Sequence, residues 1–477
     1  MNTKHQKQRG LILVSNRLPL SIKKEGDSFQ SSLSSGGLVT ALSGLTQSMK
    51  FRWFGWPGIY IEDDEDQKRA AESLTENNAT GIFLDPELAH EHYNGFSNCI
   101  LWPILHYQSG VEFDETAWAA YQRVNEIFAD IVAGEANDGD FIWVHDYHLL
   151  LLPSLLRKRL KEHGKQCPIG FTLHTPFPAG DFWRSLPVHN DLLKGVLASD
   201  VVGFHTDEYQ RNFTDRCAQS LNVTMKTEDR IVYEGHETFV GTFIVGIDPQ
   251  KFSDSRLDPK VQDRIRELEK EYKDKKVIIG IDRLDYTKGI VQKLKGYDHF
   301  LQQHPDLVNK VVLIQVAIPS REDVKEYQEL AEEVSFHTGR FIGKYSSADG
   351  TPLIYMHRSV SFTELTALYC ISDVCLLTSR RDGMNLVASE YVACQAENHG
   401  VLILSELAGA ASFLKPGSII FHPSREQEMA DAIYRAVTMD EKEKEERYRG
   451  LIDFVSTHTS AKWGESFINA LEGYSER

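Results

Sequence analysis

The tightest run of reactive side chains is Arg380-Arg-Asp-Gly-Met-Asn-Leu-Val-Ala-Ser-Glu390. Asp382 falls in the loop after an apolar run, Val374–Thr378, that reads as a strand. Gly383 to Asn385 can present backbone N–H groups where the next helix starts, at its positive end. Glu390 follows eight residues after Asp382, about 12 Å along a helix. Carboxylates so spaced suit hydroxyls at opposite ends of a nucleotide-sugar. They are too far apart for a glycosidase pair, which needs roughly 5–9.5 Å.

A second group is cationic. Gly280-Ile-Asp-Arg-Leu-Asp-Tyr-Thr-Lys-Gly289 leaves the strand Val277–Ile281. Arg283 and Lys288, five residues apart, suit a diphosphate, the arginine as a bidentate fork and the lysine as a point charge. Pro319-Ser-Arg321 follows the strand Val311–Val316 and brings a third cation to the same edge.

The first half repeats the pattern of chemistry at strand ends. Arg17 lies in Ser15-Asn-Arg-Leu-Pro19, and Gly36 and Gly37 lie in Ser34-Ser-Gly-Gly-Leu38. Paired glycines let backbone approach a ligand, and a helix beginning near Leu38 would offer N–H groups to an anion. Asp146, in Trp143-Val-His-Asp-Tyr-His148, reads as a hydroxyl or proton acceptor at a strand end. His145 and His148 have no thiolate or third ligand nearby, so their spacing is a poor metal signal. His174 opens a loop stiffened by two prolines, His174-Thr-Pro-Phe-Pro178. The run from Tyr93 to Trp102 mixes aromatic and polar residues and reads first as core packing. Two weak matches are set aside. Asp138-Gly-Asp140 precedes a strand, where a metal-binding DxD follows one, and reads as a turn. Gly339–Lys344 is one residue short of a phosphate loop and has Tyr345 where Ser or Thr would stand.

These loops need a scaffold of buried strands. Continuous apolar runs at Leu11–Ser15, Phe141–His145, Ile169–His174, Val201–His205, Val277–Ile281, Val311–Val316, Val374–Thr378 and Val401–Leu404 suit parallel strands covered on both faces. Amphipathic stretches at Ser154–Glu162, Lys260–Tyr272, Arg321–Val334, Leu386–Ala396 and Arg425–Val437 read as helices between them. The alternation predicts an α/β protein with two Rossmann-like, doubly wound domains. It pauses at about Val245–Pro249, which gives domains over residues 1–247 and 248–456. A last helix, Ala461–Tyr474 within residues 457–477, must bury Trp463 and Phe467, with the domain junction as one place to do so. Glu62–Asp66, five acidic residues in a row, reads as a solvated loop.

Over 477 residues, 52 Lys and Arg against 69 Asp and Glu give a net charge of −17. That argues against nucleic-acid or anionic-membrane binding as a general surface property. Six cysteines without a CxxC read as buried reduced thiols. No apolar run approaches a membrane span or a leader, so a soluble, cytoplasmic protein is expected.

Taken in order, SNRLP, SSGGL, FSNCILWP, HDYHLLLLP, HTPFP, DRLDYTKG, PSRxDVxxY and RDGMNLVASE resemble the motifs of the trehalose-6-phosphate synthases, from Ser15 to Glu390. These are retaining glycosyltransferases with two Rossmann-like domains facing a central cleft (GT-B type). The resemblance implies glucose transfer from UDP-glucose to glucose 6-phosphate, giving α,α-trehalose 6-phosphate and UDP, with no cofactor and no metal. It gives the donor diphosphate to Arg283 and Lys288, with Gly36 and Gly37 closing over it. It gives the glucose hydroxyls to Asp382, aided by backbone at Gly383, Met384, Asn385, Leu386 and Val387, the ribose to Glu390, and the uracil edge to Val360. The acceptor and its phosphate go to Arg17, Tyr93, Trp102 and Arg321, with Asp146 on the acceptor sugar and His174 on the transferred glucose. Asp146, His174, Arg283 and Lys288 form the implied catalytic set. A homo-oligomer or a complex with a trehalose-phosphate phosphatase is the implied partnership. Two other functions fit the same motifs: transfer to a different phosphorylated acceptor, and a sugar-phosphate sensor with little turnover. One departure is Asp382 where distant relatives carry Glu.

Overall fold

A computed structural model of the chain describes residues 9–26, 28–33, 51–348 and 350–475. It has two compact units: the described residues up to Val245 together with those from Ser460 onward, and Gly246–Thr459.

The first unit is built on β1 (Leu11–Arg17), β4 (Phe51–Trp56), β5 (Ala79–Gly81), β6 (Phe141–His145), β7 (Ile169–Thr172) and β8 (Val201–Phe204). Their order across the sheet is β5-β4-β1-β6-β7-β8, all parallel. Beyond β8 the sheet continues through β11 (His236–Thr242), parallel to β8, and then β10 (Arg230–Tyr233) and β9 (Thr224–Thr227), both antiparallel. A separate hairpin pairs β2 (Leu20–Glu25) with β3 (Ser28–Leu33). The second unit has β12 (Lys276–Arg283), β13 (Val311–Ile318), β14 (Leu353–Met356), β15 (Val374–Leu377), β16 (Val401–Ser405) and β17 (Ile419–Phe421), ordered β14-β13-β12-β15-β16-β17 and all parallel.

Numbered within each unit, both parallel sheets run 3-2-1-4-5-6. The strand order reverses between the first and fourth strands, and ligands of such sheets bind outside the carboxyl ends there. That point falls between β1 and β6 in the first unit and between β12 and β15 in the second. Arg17 and Asp146 follow the first pair, and Arg283 and Asp382 follow the second.

Eight of the described strands form where the apolar runs place them, and β2 to β5, β9 to β11, β14 and β17 form outside those runs. β12 is buried at six consecutive positions, Val277 to Asp282, as a central parallel strand covered on both faces must be. The last helix, Ser460–Ser475, packs on the first unit. Phe467 stacks on Trp143 with ring centres 4.2 Å apart, and Trp463 lies 4.9 Å from the same ring. Burying each contributes on the order of 2–3 kcal/mol. A Cβ on Gly170 of β7 would stand 2.5 Å from the Phe467 ring, so only glycine admits that approach.

Three expectations are corrected. Glu62–Asp66 is not a loop: Asp63 caps the helix Asp64–Thr75 by accepting from Asp66 N–H, and the next three acids fill its first turn, where the helix dipole favours negative charge. The helix placed at Arg321–Val334 runs over Lys325–Tyr345, because Arg321 takes a left-handed backbone (φ 51°) that no α-helix accepts. The helix after Asn385 stops at Ala393, three residues early. The run from Tyr93 to Trp102 packs in the core as expected, with Phe96, Ile100, Leu101 and Trp102 buried, but on an unusual backbone. Glu91–Leu101 is a π-helix, a form that is rare and concentrated at functional sites. All six cysteines are unbridged; Cys99 is exposed, the other five buried or partly so. No described helix is long and apolar enough to cross a membrane.

Candidate functional site

In the second unit the loops after β12 and β15 are sewn together. Asp285 starts a short turn by accepting from Thr287 N–H (2.9 Å) and Oγ1 (2.8 Å). Gly289 ends that turn with φ 67°, and a Cβ there would press 2.3 Å from the Thr378 carbonyl oxygen. Thr378 Oγ1 donates to the Lys288 and Gly289 carbonyls (3.0 and 3.1 Å), and Arg380 N–H donates to Thr287 O (2.7 Å). The outcome is a pair separated by 94 residues: Lys288 Nζ lies 2.6 Å from Asp382 Oδ2. Ser379 Oγ and Asn385 Nδ2 donate to the same oxygen (3.1 and 3.2 Å). Asn385 also caps the helix Leu386–Ala393 through Ala388 N–H. Gly383 is buried and Met384, Leu386 and Val387 are partly buried along this segment.

Glu390 lies within that helix and accepts from the Tyr369 hydroxyl (2.9 Å). Burial pushes its carboxyl above the usual range, while the Tyr369 bond and the Lys251 ammonium pull the other way. Val360 is half-buried just before Ser361, the cap of the helix Phe362–Ile371. Arg283 and Arg321 do not stand apart. Both meet Asp285 Oδ2, at 3.8 and 3.4 Å. Burial alone would raise Asp285, but the charges of Arg283, Arg321 and Lys288 and the Thr287 N–H hold it down to about 2.

The first unit gathers its candidates around aromatic rings. Arg17, at the end of β1, lays its guanidinium over Trp56, 5.1 Å from the ring centre. Tyr93, on the π-helix, stacks on His148 (5.6 Å, 8°). His148 meets Tyr147 (3.9 Å), and Tyr147 meets Trp102 (5.6 Å), so Tyr93 and Trp102 end one continuous wall. Gly36 and Gly37 lie outside the described residues.

Asp146 carries local strain. Its backbone has φ 73° and ψ 170°, a region that is essentially glycine's own. Its Oδ1 accepts from His174 N–H (3.3 Å), and its own N–H donates to Thr172 O (2.8 Å). Asp146→Gly and Asp146→Ala both remove the carboxylate, so their difference isolates the strain. Glycine is expected to be the more stable by roughly 1 kcal/mol after its own entropy cost. Denaturant midpoints measure this, and alanine equal to or above glycine would disprove the strain.

His174 is part of a row that the sequence reading missed. β6, β7 and β8 each deliver a histidine at or just beyond their ends: His145, His174 and His205. His205 Nε2 lies 3.0 Å from His174 Nδ1, and His174 Nε2 lies 3.2 Å from His145 Nδ1. His205 Nδ1 lies 3.1 Å from the Phe243 carbonyl oxygen. A carbonyl only accepts, so His205 Nδ1 carries the proton and its Nε2 is bare. His174 Nδ1–H then donates to His205, and His145 Nδ1–H donates to His174. The row ends at His145 Nε2, buried and without a partner. Burial holds His145 down to about 3 and His205 to about 4, and keeps His174 well below the usual imidazole value, so all three are neutral near pH 7. Trp463 covers the row with its ring centre 5.9–6.4 Å from each imidazole. The signal for this row was in the sequence: three apolar runs in succession end in histidine. His145 and His148 diverge, the first into this row and the second into the aromatic wall. Among the described residues no group of three or more His, Cys, Asp or Glu is arranged to hold a metal ion.

Known proteins give these features a family. The UDP-forming α,α-trehalose-phosphate synthase 2 of Aspergillus fumigatus is 50% identical over 464 residues, covering 97% of this chain and 96% of that protein. A trehalose-6-phosphate protein from E. coli, solved with UDP-2-fluoro glucose, superposes with a TM-score of 0.86 at 32% identity over 97% of this chain and 98% of its own. The N-terminal domain of Candida albicans trehalose-6-phosphate phosphatase does so at 0.89 and 31% identity, covering 100% of this chain and 99% of that one. The sequence profile of Glycosyltransferase family 20 matches residues 9–473, nearly the whole length, and the chain belongs to that family.

Proposed function

We propose that the chain transfers glucose from UDP-glucose to glucose 6-phosphate with retention of configuration, giving α,α-trehalose 6-phosphate and UDP. The observation that carries this is the Lys288–Asp382 pair at the second unit's switch point. It offers one cation and one carboxylate side by side, with Arg283 at the end of β12. A nucleotide-sugar can separate the pair: phosphate takes the ammonium and a sugar hydroxyl donates to the carboxylate. Glu390 takes the ribose, Val360 borders the uracil, and backbone from Gly383 to Val387 supports the sugar and phosphates. On the first unit Arg17, Tyr93, Trp102 and Asp146 take the acceptor. Arg321 takes its phosphate. Gly36 and Gly37 close over the donor.

For His174 the histidine row narrows the role. Both ring nitrogens are engaged within the row. A sugar hydroxyl must therefore displace one neighbour or meet the backbone.

Retention needs either a covalent glucosyl intermediate or attack from the leaving group's own face. Asp382 is held by Lys288, Ser379 and Asn385, and Asp146 by the His174 N–H, so neither is presented as a free nucleophile. The proposal is front-face transfer, in which a phosphate oxygen of the departing UDP takes the acceptor's proton. Arg283, Lys288 and the N–H groups near Gly383 offset the growing negative charge. Enzyme quenched during turnover of a fluorinated donor is expected to show no glucosyl adduct by mass spectrometry, and a kinetically competent adduct would overturn the route. The same cations offset diphosphate charge without a divalent ion. Turnover is accordingly expected to survive exhaustive chelation, and a loss restored only by added metal would refute that.

One observation favours a second reading. The fold also occurs as the N-terminal domain of a phosphatase, so a sensor role deserves a test. Incubation with UDP-glucose and glucose 6-phosphate, with UDP release and product identity followed together, decides between them. Trehalose 6-phosphate formed at tens of turnovers per second fits an ordinary transferase rate; binding without turnover supports the sensor. The chain is proposed to act in the cytoplasm and to self-associate or assemble with a trehalose-phosphate phosphatase.

A further inference from the structure

The end of β12 and the loop after β13 each supply an arginine, and both arginines meet one carboxylate oxygen. Asp285 is fully buried. Its Oδ1 is filled by Thr287 N–H and Oγ1, which fixes the carboxylate plane. Its Oδ2 is left to face Tyr327 OH at 3.1 Å, Arg321 Nη1 at 3.4 Å and Arg283 Nη2 at 3.8 Å. Tyr327 OH is also bonded to Arg321, whose guanidinium lies 5.2 Å from the tyrosine ring centre. The two arginines differ in freedom: the Arg321 side chain is 4% exposed and that of Arg283 42%. Arg321 also holds a left-handed backbone (φ 51°), a strained conformation in a residue with a side chain.

We infer that Asp285 is a positioning residue that aims Arg283 and Arg321 together, so that the two arginines act as one anion-binding unit. This rests on the reading in which both bind substrate phosphates. One carboxylate against two guanidinium groups leaves the cluster net positive, as an anion site requires. The shared oxygen also restrains both. Without it, both guanidinium groups lose the tie that aims them, and the nearly buried Arg321 loses a counter-charge. Removing either arginine leaves Asp285 to the other and draws that one away from an anion. The losses from the two removals therefore overlap. Arg321→Ala is therefore expected to weaken UDP-glucose as well as glucose 6-phosphate.

A double-mutant cycle of Arg283→Ala and Arg321→Ala, run with Asp285 present and again in Asp285→Asn, tests this through kcat and KM for each substrate. With Asp285 present, the double variant is expected to lose at least about fivefold less than the product of the single losses; in Asp285→Asn the losses should multiply within about twofold. Asp285→Asn alone is expected to raise KM for both substrates more than it lowers kcat, which a general loosening of the fold would not do. Multiplicative losses with Asp285 present, or a KM rise for one substrate only, overturn the inference. If Asp285→Asn does not fold, Tyr327→Phe replaces it, since it cuts one tie between Arg321 and Asp285 and leaves the carboxylate. It should shrink the overlap, and an unchanged overlap counts against the shared carboxylate. Failure of the phosphate reading shows separately: Arg321→Ala would leave the KM for glucose 6-phosphate unchanged.

Discussion

Replacing Arg283 with alanine is expected to lower kcat/KM about a hundredfold, the loss typical of removing one preorganised donor to a developing negative charge. The position is unusual for a residue of that weight. Its side chain is 42% exposed, and its contact with the buried Asp285 is long, 3.8 Å. The fold should therefore survive, because Asp285 keeps Arg321, Tyr327 and Thr287. Arg283→Lys is expected to recover only part of the activity. It restores a charge but not the planar fork that can meet two phosphate oxygens at once. Arg449→Ala is the control: that side chain is 72% exposed and pairs with Glu445 on the same helix. Near-wild-type kcat/KM in a folded Arg283→Ala protein, or an equal loss in Arg449→Ala, would remove Arg283 from the site.

The sequence carried β1, β6, β7, β8, β12, β13, β15 and β16 because each is a continuous apolar run, and being covered on both faces leaves little room for anything else. β4, β5, β11, β14 and β17 were not legible: polar residues interrupt β4 and β11, and β5, β14 and β17 have three or four residues each, too few to show a pattern. The strand-end rule located Arg283, Lys288, Asp382 and Asp146, since each follows a strong strand. It did not show that Lys288 and Asp382 touch, which depends on β12 and β15 becoming neighbours across 94 residues. Asp285 escaped for a different reason. An Asp two residues before a Thr reads as a local turn cap, and it is one through Oδ1; its second oxygen does the long-range work. The π-helix of Glu91–Leu101 has no propensity signature at all, so Tyr93 and Trp102 could be named by motif but not placed on one wall.

The same burial that keeps the histidine row neutral should make the protein labile in mild acid. His92, His145 and His205 are each 1% exposed or less. Burial holds His92 and His145 down to about 3 and His205 to about 4, whereas an unfolded histidine titrates near 6.5. Below about pH 6.5 the unfolded chain therefore takes up protons that the folded chain refuses. Stability is full above that value and falls as pH drops through the window down to about 4, at about 1.4 kcal/mol per pH unit for each histidine. Within the row a first proton alters the cost of the next, because every N–H···N link needs one bare nitrogen. Counting the row once and His92 once gives a loss of roughly 3–4 kcal/mol between pH 6.5 and 5. Glu390 opposes this, since a carboxyl raised by burial gains folded-state stability on acidification, and it offsets only part. Unpaired carboxylates titrate mostly below this window. The chemical-denaturation midpoint is therefore expected to fall steeply from pH 6.5 to 5, with net proton uptake on unfolding. His92→Gln should flatten the slope by about one proton, because His92 is bonded through Nε2 to Asn16 Oδ1 at 3.1 Å and its neutral amide replacement does not titrate. A midpoint that stays level across this range, or a slope unchanged in His92→Gln, would mean these imidazoles reach solvent and are not held neutral.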